Sequence, residues 1–142
     1  MVDRDVLSAK LKELAYRIAK VRQYHPLDAE ELEKDGDRLD LISFNLMLAV
    51  QACLDIASHV ISDEEWTVAV TMGESFRRLA EHEVISQATA ATLNQAVALR
   101  NIVAHGYSKV EPGLIHAAAK TGPAELERFV EEVSAWVRAQ QS

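Results

Sequence analysis

Residues 99–110 read LRNIVAHGYSKV and place Arg100, Asn101, His105 and Tyr107 close together in the chain. Each of the ionisable types suits one task. Histidine, with an unperturbed pKa of about 6.5, moves protons near neutrality. Arginine stays charged and offers a planar fork of donors that matches phosphate oxygens. At about 100° per residue, His105 lies roughly 140° around a helix from Arg100. The two side chains converge only if the arginine reaches round or the histidine sits at a loosened last turn. Gly106 favours the second, since glycine adopts the left-handed conformation that stops helices. From these residues alone, side chains satisfied locally at a helix end are the simpler expectation, with a site assembled at that end as the alternative.

Other groups with chemical potential are weaker. Asp55 and His59 are four apart and could share a metal, but no third ligand is evident. A hydrogen-bonded pair on one helix face is the simpler expectation. His82, between Glu81 and Glu83, is expected to be solvated near the negative end of a helix dipole. Cys53 falls on an apolar stripe without a basic neighbour, as a buried inert thiol would. The chain carries no GxxxxGK[ST] loop, no GxGxxG, no cysteine pair and no HExxH, so those nucleotide and zinc signatures are excluded. No metal and no cofactor is implied.

The elements that must position the motif read as helices. Leu7, Leu11, Leu14, Ile18 and Val21 form one stripe, which His25-Pro26 ends. Asp28 and Glu31 have the form of a weak cap box, and Asp35-Gly36-Asp37 marks a break. Leu39, Ile42, Leu46, Ala49, Cys53, Ile56 and Val60 form a longer stripe. Leu41, Phe44, Leu48 and Ala52 widen it beyond what one partner helix needs. Such a helix is central in a bundle or buried in an oligomer interface. Ser62 followed by Glu65 predicts the start of a shorter helix carrying Trp66, Val70, Phe76 and Leu79. The next helix is predicted from about Ser86 to about His105. A turn at Glu111-Pro112-Gly113 and a helix start at Gly122-Pro123 then precede a last helix with Leu126, Phe129, Val133 and Trp136. No strand alternation or repeat is present. The expectation is all-α: an up-and-down bundle of about five helices in one domain spanning residues 1–142.

Composition agrees. Hydrophobic residues are 49% and charged residues 26% of 142 positions, with five glycines and three prolines. That is a globular profile. One cysteine and an acidic start, MVDRDVLSAK, fit a reducing cytoplasm and no leader sequence. No apolar run approaches the ~18 residues of a membrane span, so no membrane association is expected. The net charge of −7 argues against a general nucleic-acid binder, yet residues 1–24 carry +3 and residues 25–40 carry −5. A local basic surface is therefore compatible with the total.

The block Arg100-Asn101-x3-His105-x-Tyr107 at the end of a late helix resembles the R-x4-H-x-Y signature of HepT toxins, within the HEPN superfamily of helical ribonucleases. LMLAVQACLDIASHVI (residues 46–61) and FRRLAEHEVIS (residues 76–86) are similar to the segments that precede it there. The resemblance covers roughly residues 4 to 137. In one departure, Ser43-Phe44 stands where an acidic–basic pair often precedes the second-helix block. The resemblance implies a metal-independent endoribonuclease toxin of a toxin–antitoxin pair. In it His105 would be the general acid/base, Arg100 the phosphate clamp, and Asn101 would orient the histidine or the phosphate. It further implies a two-fold dimer with both motifs at a shared cleft, acting on RNA. The partner would be an MntA-type minimal nucleotidyltransferase antitoxin that transfers AMP to Tyr107. A helical module that merely docks such a nucleotidyltransferase, without cutting RNA, is the alternative.

Overall fold

The computed structural model describes residues 1–26, 28–106 and 110–141. Six helices make up these residues, and among them there is no strand: α1 (Arg4–Tyr24), α2 (Ala29–Lys34), α3 (Gly36–Asp63), α4 (Met72–Glu81), α5 (Gln87–Ala104) and α6 (Pro112–Ala139). The sixth element beyond the expected five is the short α2, which grows from the Asp28 cap: its carboxylate accepts from Glu31 N. Asp35 closes α2 and opens α3, accepting from Arg38 N, so one aspartate serves both helix ends.

α3 is the axle of the bundle and packs against every other described helix. Its stripe from Ile42 through Ala49, Cys53 and Ile56 to Val60 is buried, as a central helix requires. α1 runs antiparallel to it. The amino terminus of the chain donates to Asp63 O at 3.1 Å, and at the other end Arg38 Nη1 donates to Tyr24 O at 3.4 Å. The main core gathers Leu14 and Ile18 of α1, Cys53 and Ile56 of α3, Phe76 and Leu79 of α4, Leu93 of α5 and Phe129 of α6. Phe76 and Phe129 meet edge to face at 6.1 Å, an arrangement aromatic quadrupoles favour. A second cluster of Val21, Leu32, Ile42, Leu46, Ile115 and Ala119 fills the end beneath α2.

Three expectations need correction. Ser62 does not cap a new helix, because α3 runs on to Asp63 and then ends in a left-handed turn. Glu65 adopts φ 57°, and Trp66 N bonds back to Ile61 O at 3.0 Å. That closing bond is the glycine-type helix stop made with glutamate, which hides it from sequence. The true cap is Thr71, whose hydroxyl accepts from Glu74 N while Glu74 reaches back to Val70 N. Val70 is thus 88% exposed in the link rather than on a helix. Gly122-Pro123 does not start a helix either. Pro112 occupies the first turn of α6 and Pro123 lies buried within it. α6 continues there because it packs closely on α3: a Cβ at Gly122 would stand 3.6 Å from Leu46 Cδ2. Finally, α3 is long and apolar enough to cross a membrane by length and composition, contrary to the expectation. Its most apolar window is 61% buried within the bundle, as suits a core helix.

Candidate functional site

α5 carries the motif, and both of its ends are fixed. At the start Ser86 Oγ accepts from Thr89 N, and Glu132 of α6 accepts from Ser86 N at 2.7 Å and from the Thr89 hydroxyl. At the far end Ala104 is the last helical residue and His105 is the cap, its N–H donating to Asn101 O at 3.0 Å. Between them Leu93 and Val97 face the core. Arg100 continues that row at spacing four then three, so it projects toward α3 rather than into water.

The guanidinium is held from both sides. Nη2 donates to Gln51 Oε1 of α3 at 3.0 Å, and Nη1 donates to Asn101 Oδ1 at 3.0 Å. Gln51 Nε2 in turn donates to Asp55 Oδ1 at 3.1 Å, one turn along α3. Both anchors of Arg100 are neutral amides, and among the described residues no carboxylate pairs with it. Its Nε is buried without a hydrogen-bond partner among the described residues. An arginine held by two neutral amides keeps its charge, and the Nη hydrogens those amides leave over suit the oxygens of an anion.

His105 is exposed, and its imidazole makes no hydrogen bond among the described residues. The helix end therefore frees this ring. The Asn101 side-chain carbonyl accepts from Arg100, and this bond does not test its expected role of orienting the histidine or the phosphate. Gly106 stops the helix by a different means than expected. Its φ is not positive; glycine is needed because a Cβ there would lie 2.7 Å from Ile102 O and 3.3 Å from Val103 O. Tyr107 lies outside the described residues.

The weaker candidates resolve into other roles. His59 Nε2 approaches Asp63 Oδ2 at 3.0 Å, not Asp55, without hydrogen-bond alignment. Among the described residues no three His, Cys, Asp or Glu side chains gather as metal ligands would. His82 is exposed at the end of α4, yet its ring stacks flat on Trp66 at 3.7 Å. Cys53 is fully buried, and burial pushes its thiol pKa well up. Ser43 is buried, its hydroxyl unpartnered among the described residues, while Phe44 is 50% exposed beside it. An open apolar groove of about 280 Å³ runs between α5 and α6, lined by Val50, Leu99 and Leu114 among others. None of Arg100, Asn101 and His105 lines it, so groove and chemistry are separate.

Gln51 is the residue that sequence reasoning missed. It is the one uncharged amide in LMLAVQACLD, and an arginine in register with Leu93 and Val97 demands an acceptor on the facing helix. Which residue answers, 49 positions away, is visible only in three dimensions.

Residues 14–133 match the model of the HepT-like family, described as ribonuclease HepT-like. The chain is 24% identical over 131 residues to an mRNA nuclease HepT of Shewanella oneidensis, covering 92% of this chain and 98% of that one. A tRNA nuclease HepT of Aphanizomenon flos-aquae is 17% identical over 132 residues, covering 93% and 90%. Among solved structures, a tri-AMPylated Shewanella oneidensis HEPN toxin in complex with MNT antitoxin superposes with a TM-score of 0.85 at 24% identity. The match covers 94% of this chain and 99% of that one. At that identity the likeness speaks for the fold.

Proposed function

The chain belongs to the HepT-like ribonuclease family, and from that premise we propose that it is a cytoplasmic endoribonuclease toxin of a toxin–antitoxin pair. The observation that carries the reading is the state of Arg100: fixed by the neutral amides of Gln51 and Asn101, with no carboxylate paired to it among the described residues. That is what a phosphate clamp needs before its substrate arrives.

The chemistry follows from residue types. The 2′-oxygen of RNA attacks the adjacent phosphorus and gives its proton to the His105 imidazole. The bond from phosphorus to the 5′-oxygen breaks, leaving a 2′,3′-cyclic phosphate. The departing 5′-oxygen takes a proton from a protonated imidazole and leaves as a hydroxyl. Arg100 stabilises the charge that builds on the non-bridging oxygens meanwhile. Since the nucleophile belongs to the substrate, no metal-bound water is required. Two proton transfers ask for two histidines, so the active species is a two-fold dimer in which a second copy supplies the other His105. The half-exposed Phe44 and Ile102, on the two helices that carry Gln51 and Arg100, suit such an interface.

Regulation falls to Tyr107, two residues past His105. A minimal nucleotidyltransferase antitoxin of the MntA type would place AMP on its hydroxyl, with the added phosphate competing for the arginine that RNA needs. A second reading, a docking module without nuclease activity, draws on the net charge of −7, which suits a protein partner better than RNA. Induction in a host lacking the antitoxin separates the two. Growth arrest by the wild type but not by His105→Ala supports the nuclease; equal growth of both supports the docking module.

A further inference from the structure

Along α3 the strip facing Arg100 offers an amide where a carboxylate would bind more tightly. A bidentate carboxylate is the stronger guanidinium anchor, yet Gln51 and Asn101 are both neutral. Two of the five guanidinium N–H donors are used by these amides and Nε–H is buried, which leaves one hydrogen on each Nη for an incoming anion. An amide can also present either end, and with its NH2 turned inward it would meet the guanidinium donor to donor. Asp55 prevents this: its Oδ1 takes Gln51 Nε2 at 3.1 Å, which turns Oε1 toward Arg100.

We infer that Gln51 is the positioning residue of the arginine clamp, a neutral anchor that aims the Arg100 guanidinium without cancelling its charge, with Asp55 fixing the orientation of the Gln51 amide. This rests on the nuclease reading for its purpose and on the Asp55–Gln51–Arg100 geometry for its substance. Gln51 touches no substrate atom. It acts through Arg100, and its neutrality is the functional requirement: a negative charge at this position would compete with the RNA phosphate for the same donors.

Two substitutions separate aim from charge. Gln51→Glu keeps volume and reach while adding a charge; Gln51→Met keeps the charge state and removes the anchor. Binding is read with a fluorescent 2′-O-methyl RNA, which has no nucleophile, across a salt series; turnover is read with unmodified RNA. For Gln51→Glu the slope of log affinity against log salt becomes shallower by about 0.7 for each clamp lost. Its turnover falls about 100-fold or more. For Gln51→Met the slope is unchanged, KM moves little and kcat falls about 10- to 100-fold, the signature of misplacement. Gln51→Glu that binds and cuts like the wild type overturns the inference. If the wild type itself neither binds nor cuts, the nuclease reading fails instead, and NMR of the arginine side chain still judges the anchor. The Nη2 proton resonance of Arg100, held by Gln51 in the wild type, should move toward its free-arginine position in Gln51→Met, while Nη1 stays on Asn101; an unchanged Nη2 resonance overturns it.

Discussion

Replacing Gly106 with alanine should damage catalysis far more than stability. The added Cβ would sit 2.7 Å from Ile102 O, roughly 0.7 Å inside ordinary van der Waals contact, and 3.3 Å from Val103 O. Both neighbours are backbone carbonyls of the last turn of α5, so no side chain can swing away to make room. The chain must move after Asn101, and the bonds at stake are His105 N to Asn101 O at 3.0 Å and Gly106 N to Val103 O at 3.4 Å. Each contributes about 1 kcal/mol net, less where water replaces it at an exposed end, so the loss of stability is about 1–2 kcal/mol. The same shift carries His105 away from its position relative to Arg100. A displacement of about 1 Å is enough to lower turnover about 100-fold. Gly113→Ala is the matched control: nothing lies within 4 Å of its Cβ and it sits in the first turn of α6, so it should leave cleavage unchanged. Denaturant titration and single-turnover cleavage of RNA measure both quantities. Gly106→Ala indistinguishable from the wild type in rate would refute the link between helix termination and His105 placement.

Phe129→Ala empties the fully buried edge-to-face pair with Phe76 and should cost about 3–5 kcal/mol in a urea melt. The pKa of His25 is lowered by burial first and by the nearby His116 and Lys120, with Glu31 opposing. Its folded-state pKa thus lies below its ordinary 6.5, and the unfolded chain takes up the proton first as pH falls. The stability held above pH 6.5 should decline as pH drops from there toward the lowered value, and His25→Asn should flatten that decline in melts at pH 7.5 and 5.5. Co-expression with a minimal nucleotidyltransferase antitoxin should add mass in AMP-sized steps by intact mass spectrometry. Tyr107→Phe should abolish them, and an unmodified wild type would count against the AMP acceptor.

Much of the scaffold was legible because local signals and packing agree along most of the chain. The α1 stripe, the His25-Pro26 stop and the extent of α5 from about Ser86 to about His105 all follow from spacing and helix-end chemistry. Cys53 as a buried core thiol followed from its register. Where local and tertiary preferences conflict, the sequence misleads. Ser62 and Glu65 look like a cap box, but Asp63 between them is engaged by Met1 and Asp3 at the start of α1, and α3 continues through Ser62 to end at Asp63. Pro123 looks like a helix start, yet the approach of α6 to Leu46 keeps the helix intact around it. In the motif, helical angles identified the need for a loosened last turn, and α5 ends at Ala104 with His105 as its cap. What they could not supply was the Gln51 anchor, since contacts between distant helices leave no periodic trace.

Cleavage of RNA through Arg100 and His105 is directly measurable. Purified protein should cleave single-stranded RNA in the presence of EDTA, leaving 2′,3′-cyclic phosphate and 5′-hydroxyl ends. His105→Ala and Arg100→Ala, folded as judged by circular dichroism, should leave the RNA intact. Cleavage that persists in both variants, or that EDTA abolishes, would contradict the mechanism.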